Sequence, residues 1–441
     1  MMLLGRVARR LSGSAACVLL LAATCQPKIV LAQTAETVTP IVRTAVGGAS
    51  DDVASEARES LLDGLLSLLP RFVFSTEKQI GNDDLSYNDP EFAPDAPWVT
   101  WLDGKGRVWI CGYDEVTGEL IPSDGRGTFV AEAVPLISPF TSTVTDLGTY
   151  NGPEWGRSRR GLSVYYVQGD RTLGYRVDRY RMADGRRETV TPQGLPVALG
   201  AFPSQDVEDG FERLIFGRWV PRPENGTFIV AQWLNVGGLR PPRELPLQTV
   251  GVSGPRWLPG SREIITNAAD RNGISQIAIF DTATGATTLL TEGLGHKFDA
   301  QVTAAPEYGG LRVMSCLIDR TTIALYRESE TAGTPWQRIR NVSAPFRSTD
   351  DRPINTTGAD LFVYQGRTYL TYVAGAASIE NRVCLASVDG NVNTTISGRT
   401  LGGFDPEAVI SNGRLFVYFL IGARERGTTN DLHRAHVRIV N

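Results

Sequence analysis

The chain has 441 residues, with 44 basic and 48 acidic side chains mixed along its length and a formal charge of -4. That balance leaves no positive stripe for nucleic acid or for an anionic membrane, so neutral or small partners are expected. Forty-six glycines and 25 prolines, with few long helical patterns, point to short strands joined by frequent turns.

The first residues address the chain for export. Met1 to Arg10 carry three arginines and no acid, Ala15 to Ala23 form an apolar run, and Val30-Leu31-Ala32 offers small residues for a signal peptidase. Residues 1–32 therefore read as a signal peptide, with a mature periplasmic or extracellular protein starting near Gln33. A lipoprotein anchored at Cys25 is the alternative, disfavoured by Thr24 where Gly or Ala is preferred. The apolar run is too short for a bilayer, which needs about 20 residues, and no later segment is apolar enough to span. Residues 33–75 follow as an N-terminal segment. In it, Ser50-Asp51 caps an expected short helix with Leu61, Leu62, Leu65, Leu66 and Leu69 along one face.

Residues 76–441 repeat. A glycine-centred turn leading into alternating apolar residues recurs at Gly104, Gly161, Gly210, Gly260, Gly310, Gly366 and Gly413, spaced 47 to 57 residues apart. Several short strands per period of about fifty residues is the spacing of propeller blades, each a small sheet that hides its faces only against its neighbours. The expected fold is all-β, a seven-bladed β-propeller, with six blades the alternative. A second turn recurs within units as Asp114-Glu115-Val116-Thr117-Gly118 and Asp281-Thr282-Ala283-Thr284-Gly285. In both, an Asp bonds the amides ahead of it and a Gly four residues later takes the positive φ. Asp184-Gly185 and Asp389-Gly390 fill the same place in two other units.

Gly152-Pro153-Glu154-Trp155 and Gly254-Pro255-Arg256-Trp257 are near copies that open the second and fourth units. The stretch from Gly254 to Ile265, closed by Asp281 to Gly285, resembles the WD-like repeat of TolB-type periplasmic propellers. That resemblance implies a noncatalytic module that binds a protein partner, or a substrate-gating propeller of the prolyl-oligopeptidase kind. With nothing after the seventh unit, a propeller without a peptidase domain is expected. The last unit lacks one outer strand, which a segment such as Arg71 to Ser75 could supply by joining the first blade to the last.

Chemistry is expected where the innermost strands begin, around the mouth of the channel. Asp95, Glu154, His296, Asp299 and Asp405 are the candidate acids and bases there; Trp155, Arg157, Arg256 and Trp257 are the candidate ligand-binding residues. Phe404-Asp405-Pro406-Glu407-Ala408-Val409 resembles blade openings of five-bladed arabinanase- and xylosidase-type glycosidases, which implies paired carboxylates about 5–9.5 Å apart. Seven units oppose a five-bladed ring. Each acid also has a structural reading, bonded to turn amides, and each tryptophan, including Trp98, Trp101, Trp219 and Trp233, a packing one. Cys111, Cys316 and Cys384 read as buried apolar residues, too few and too far apart for a disulfide framework or a metal knuckle. His433 and His436, three apart in a strand, point to opposite faces and cannot share a metal. No metal and no cofactor are expected, and neither a Gly-x-Ser-x-Gly elbow nor a phosphate loop occurs. Two readings stand: a monomeric noncatalytic module binding a protein or carbohydrate at the mouth, and a secreted glycoside hydrolase or polysaccharide lyase.

Overall fold

A computed structural model of the chain describes residues 72–440, apart from 83–84, 133–151, 171–173, 193, 196, 206–209, 223–225, 246–254, 332, 349–350, 399–401 and 423–429. The expected signal peptide, N-terminal helix and Cys25 lie outside the described residues. Residues Phe72–Val440 form one compact unit of seven antiparallel sheets. Their inner strands are Tyr87–Phe92, Glu154–Ser158, Val197–Pro203, Arg256–Trp257, Lys297–Ala304, Asn355–Tyr364 and Gly403–Ser411. In the first six sheets the chain runs outward from strand to strand. The first sheet gains an extra strand, Thr128–Glu132. The seventh is built from both ends of the unit: Arg414–Ile421 and Asp431–Val440 follow its inner strand, and Phe72–Ile80 pairs outside Asp431–Val440 from Phe72 opposite Val440 to Ile80 opposite Leu432.

The packing shows why these strands read as unbroken apolar runs. Sheets covered on both faces bury successive side chains on opposite sides, so alternation of apolar with polar disappears. In Arg414–Ile421, Phe416, Tyr418 and Leu420 face a cluster with Tyr87, Val99 and Trp101 of the first sheet. Leu415, Val417 and Phe419 face Tyr369, Val383 and Leu385 of the sixth. Each neighbouring pair of sheets encloses such a cluster, including the seventh with the first, and so the ring is closed.

Because the strands alternate in direction, inner strands begin on the same face of the ring as the turns between second and third strands. We call this the near face; turns between first and second strands, and between third and fourth, lie on the far face. Six of the seven repeat glycines sit in first-to-second turns. Gly104 does not: it joins Trp98–Asp103 to Arg107–Tyr113, the second and third strands of its sheet. The strand that opens the first sheet is thus Tyr87–Phe92, one hairpin earlier than the glycine phase implies.

The Asp-to-Gly turns form as their sequence dictates. Asp114 Oδ1 accepts the amides of Val116 and Thr117, Asp281 Oδ1 that of Ala283, and Gly118 and Gly285 take φ of 72° and 75°. Amide donation holds both carboxyls below the ordinary carboxylate range. The two glycines differ in surroundings. A Cβ on Gly285 meets open space, whereas one on Gly118 would sit 2.7 Å from Arg434 Cδ and 3.0 Å from Phe416 and Tyr418 of the seventh sheet. Gly285→Ala is expected to cost only the left-handed strain, about 1–2 kcal/mol. Gly118→Ala is expected to cost clearly more by denaturant titration, since the first and seventh sheets must also part; equal losses would show that this turn does not seat the joint.

Candidate functional site

Inner strands of the first, third, fifth, sixth and seventh sheets share an irregularity. Three steps along the inner strand face two along its partner: Asn88 to Glu91 against Leu102 to Thr100, and Phe404 to Glu407 against Leu420 to Tyr418. The same slip runs from Leu199 to Phe202, Phe298 to Gln301 and Thr357 to Asp360. This is a β-bulge, which re-aims the side chain that follows it. Asp89, Asp299, Gly358 and Asp405 occupy its left-handed position, with φ of 49°, 47°, 59° and 55°. Asp is among the few non-glycine residues that tolerate this conformation, because its short polar side chain bonds locally.

The third residue of each motif then takes one equivalent place around the ring. Glu91, Glu154, Phe202, Arg256, Gln301, Asp360 and Glu407 stand opposite Thr100, Tyr165, Ile215, Ile265, Ser315, Thr371 and Tyr418 of their second strands. Four consecutive sheets, the sixth, seventh, first and second, contribute carboxylates, and the fourth contributes Arg256. Arg256 remains exposed to solvent, yet Glu154, Glu91, Glu407 and Asp360 all act on its charge. An exposed side chain ringed by groups from sheets across the propeller projects into the central channel.

Enclosure by protein is the main influence on these carboxyls. It raises Glu91 well above the ordinary range, helped by Glu154, Glu407 and Asp89 and opposed by Arg256. Glu407 is raised in the same way, with Asp360 and Asp405 as the like charges. Asp89 is raised by enclosure, Asp405 and Glu154 against the Gly152 amide. Asp360 is pushed up to about 6, its amide bond and Arg256 limiting the rise. Enclosure works against the Arg256 charge as well, but the four carboxylates outweigh it and hold the guanidinium protonated.

Several of these side chains also tie sheets together. Asp89 Oδ2 accepts the Gly152 amide of the second sheet. Gln301 Oε1 accepts the Leu361 amide at 2.9 Å and Asp360 Oδ2 the Ala408 amide at 3.3 Å. Trp155 and Trp257 are buried, and their indole N–H groups donate to the backbone carbonyls of Glu91 at 2.8 Å and Phe202 at 3.1 Å. Both rings wedge adjacent sheets, as do Trp101 and Trp233. Trp98 is exposed, and the Trp219 side chain lies outside the described residues.

Of the five acid–base candidates, the structure brings Glu154 and Asp405 into the Arg256 cluster. Asp299 occupies the fifth-sheet bulge, exposed. Asp95 lies in the first-to-second turn of its sheet, on the far face, in an ion pair with Arg157. This corrects its placement at an inner-strand opening and follows from the displaced hairpin. His296 lies between the fourth and fifth sheets, where Nδ1 accepts the Ser275 amide at 3.2 Å and its own amide bonds Asp319. Its neighbour Lys297 is buried, with Nζ donating to the carbonyls of Gly293, Leu294 and Gly295. Asp89, Glu91 and Asp360 were missed. The signal for two of them was present: Asp89-Pro90-Glu91 repeats Asp405-Pro406-Glu407, with Gly152-Pro153-Glu154 as a third version.

Elsewhere, Cys111, Cys316 and Cys384 are buried free thiols, each pushed up to about 12 by burial. His433 packs on Phe419 and bonds Glu77, while His436 packs on Phe416, on the other side of the sheet. Among the described residues no three His, Cys, Asp or Glu side chains are arranged to hold a metal ion, and no helix is long and apolar enough to cross a membrane.

These features define the class: an all-β, seven-bladed β-propeller with an acidic arc facing Arg256 on its channel wall. Comparison with solved structures finds distant likenesses. A puromycin-hydrolyzing peptidase of Mycobacterium tuberculosis matches over 81% of this chain at 13% identity and a TM-score of 0.48. A prolyl endopeptidase matches over 77% at 11% identity and a TM-score of 0.43, and TolB from Acinetobacter baumannii over 86% at 12% identity and a TM-score of 0.35. The alignments cover 52% and 47% of the two peptidases and 84% of TolB, so the chain spans about half the length of the peptidases it matches. No protein-family model and no curated protein sequence matches the chain.

Proposed function

We propose that the propeller is a noncatalytic binding module of the cell envelope or extracellular space, and that it engages a protein or carbohydrate at the near-face mouth of its channel. The observation that carries this reading is the fate of the acid–base candidates. Asp95 is spent in an ion pair on the far face, and His296 Nδ1 is taken up by the Ser275 amide between the fourth and fifth sheets. What the channel offers is a graded polar wall: Glu91, Glu154, Asp360 and Glu407 on one arc, with Phe202, Arg256 and Gln301 opposite. Such a wall suits recognition of hydroxyl or ammonium groups against the arc. The arginine-rich start and apolar run of residues 1–32 support export.

One observation favours the second reading, a glycoside hydrolase or lyase. Carboxyls held above their ordinary range are what a general acid needs. A glycan panel separates the two, using wild type and Glu154→Gln and reading both binding and product release. The proposal expects a glycan, or failing that a protein captured by a crosslinker placed at the near face, to bind without turnover and to be lost in Glu154→Gln. New reducing or unsaturated ends that disappear in Glu154→Gln would replace the module with an enzyme.

A further inference from the structure

The joint between the seventh and first sheets is where the two ends of the propeller meet, and it carries an arrangement found at no other described joint. Their inner strands touch and hold the same tripeptide, Asp89-Pro90-Glu91 and Asp405-Pro406-Glu407, at the same bulge. Like therefore faces like: Asp405 acts on Asp89, and Glu407 acts on Glu91. We propose that this joint is a proton-responsive seam, firmest when the facing tripeptides share protons and looser when all four carboxylates are ionised.

The groups that face the seam extend the argument. The second sheet adds Glu154 and the sixth adds Asp360, both negative when ionised; the fifth holds Asp299 at the same bulge; the fourth sends Arg256 across the channel. Arg256 is the cation among the groups acting on both glutamates, and one positive charge cannot neutralise four to six negative ones. Like charge also meets like at the joints on either side, where Glu154 acts on Glu91 and Asp360 on Glu407, but neither of those joints holds the paired tripeptide. Phe202 and Gln301 are uncharged, and the sixth-to-seventh joint is bridged by Asp360 accepting the Ala408 amide.

The sign follows from linkage. Carboxyls that bind protons more tightly in the folded chain than in the unfolded one give stability that is complete below the ordinary carboxylate range and is lost as pH rises through the raised values. Asp360, at about 6, marks the start of that window, and Asp89, Glu91 and Glu407 are raised too. Between pH 5 and pH 8 the wild-type denaturation midpoint is expected to fall. The Glu91→Gln/Glu407→Gln variant is expected to fall less steeply, Asp89 and Asp360 keeping part of the slope, and to exceed wild type at pH 8. Hydrogen exchange locates the effect. After correction for the intrinsic rate, amides of Phe72–Ile80 and Asp431–Val440 are expected to exchange severalfold faster at pH 8 than at pH 5 in wild type, and by a clearly smaller factor in the variant. Should the double variant fail to fold, Asp405→Asn serves, since Asn accepts the left-handed φ. Parallel pH profiles in variant and wild type, or a change spread evenly over all seven sheets, would overturn the proposal.

Discussion

A chain from which residues 72–80 have been removed is expected not to form a cooperative ring. Phe72–Ile80 supplies the whole outer strand of the seventh sheet, in unbroken register with Asp431–Val440. Each net hydrogen bond is worth about 1 kcal/mol, so the ladder alone contributes several kcal/mol against a typical domain stability of about 5–15 kcal/mol. Side chains add to this. Ile80 is buried with Tyr87 and Leu432, Ser75 Oγ donates to the Ile396 carbonyl at 3.1 Å, and Glu77 bonds His433 Nδ1 at 2.8 Å. Deletion also bares Asp431–Val440 as a ten-residue edge, a template for pairing between molecules. Broad, early denaturant unfolding with rising light scattering is the expected outcome, with recovery on adding a peptide of residues 72–80. A truncated chain that melts as sharply and as late as wild type would mean that closure does not depend on this strand.

The second large effect is expected inside the joint between the second and third sheets. Arg179 is 5% exposed and Glu212 7%, and they form a direct ion pair; Arg179 also pairs with Glu188, and the fully buried Tyr165 hydroxyl donates to Glu212. Desolvation opposes the Arg179 charge, but its anionic neighbours hold it above its ordinary value, so it stays a cation at any working pH. Breaking one partner of a buried pair strands the other charge, at a cost of about 3–5 kcal/mol. Arg179→Met alone is expected to lose that much, and Glu212→Leu alone less, because Glu188 still pairs with Arg179. The double variant, which buries no lone charge, is expected to recover most of the loss. The measurement is a double-mutant cycle by denaturant titration. Additive losses would show the two side chains to be energetically independent despite their contact.

How much of this was legible before the fold was seen depends on which residues carried it. The repeat came through because the chain makes the same turn in six of the seven sheets, and a glycine at positive φ is hard to replace there: Gly161, Gly210, Gly260, Gly310, Gly366 and Gly413 all take it. The Asp114 and Asp281 turns were legible for the same local reason. The channel was only half legible. Glu154 and Arg256 stood out because a tryptophan follows each. Asp89 and Glu91 did not, because the first sheet has its glycine one hairpin late and so moved attention to Asp95. Asp360 was hidden by a motif, Gly358-Ala359-Asp360, that shares only its bulge with the Asp-Pro-Glu copies. A bulge is a property of pairing between two strands, and no spacing within one strand reveals it. Trp155 and Trp257 invited a stacking role, yet their indole nitrogens are committed to carbonyls of the preceding sheets.

Everything functional in this account rests on carboxylates from four successive sheets facing Arg256 across one lumen. An electron-density map of the crystallised protein tests that most directly. The account predicts seven sheets about a single channel, with Glu91, Glu154, Asp360 and Glu407 on one arc of its wall and the Arg256 guanidinium opposite them. Six sheets, or these glutamates divided between the far face and the outer rim, would contradict it.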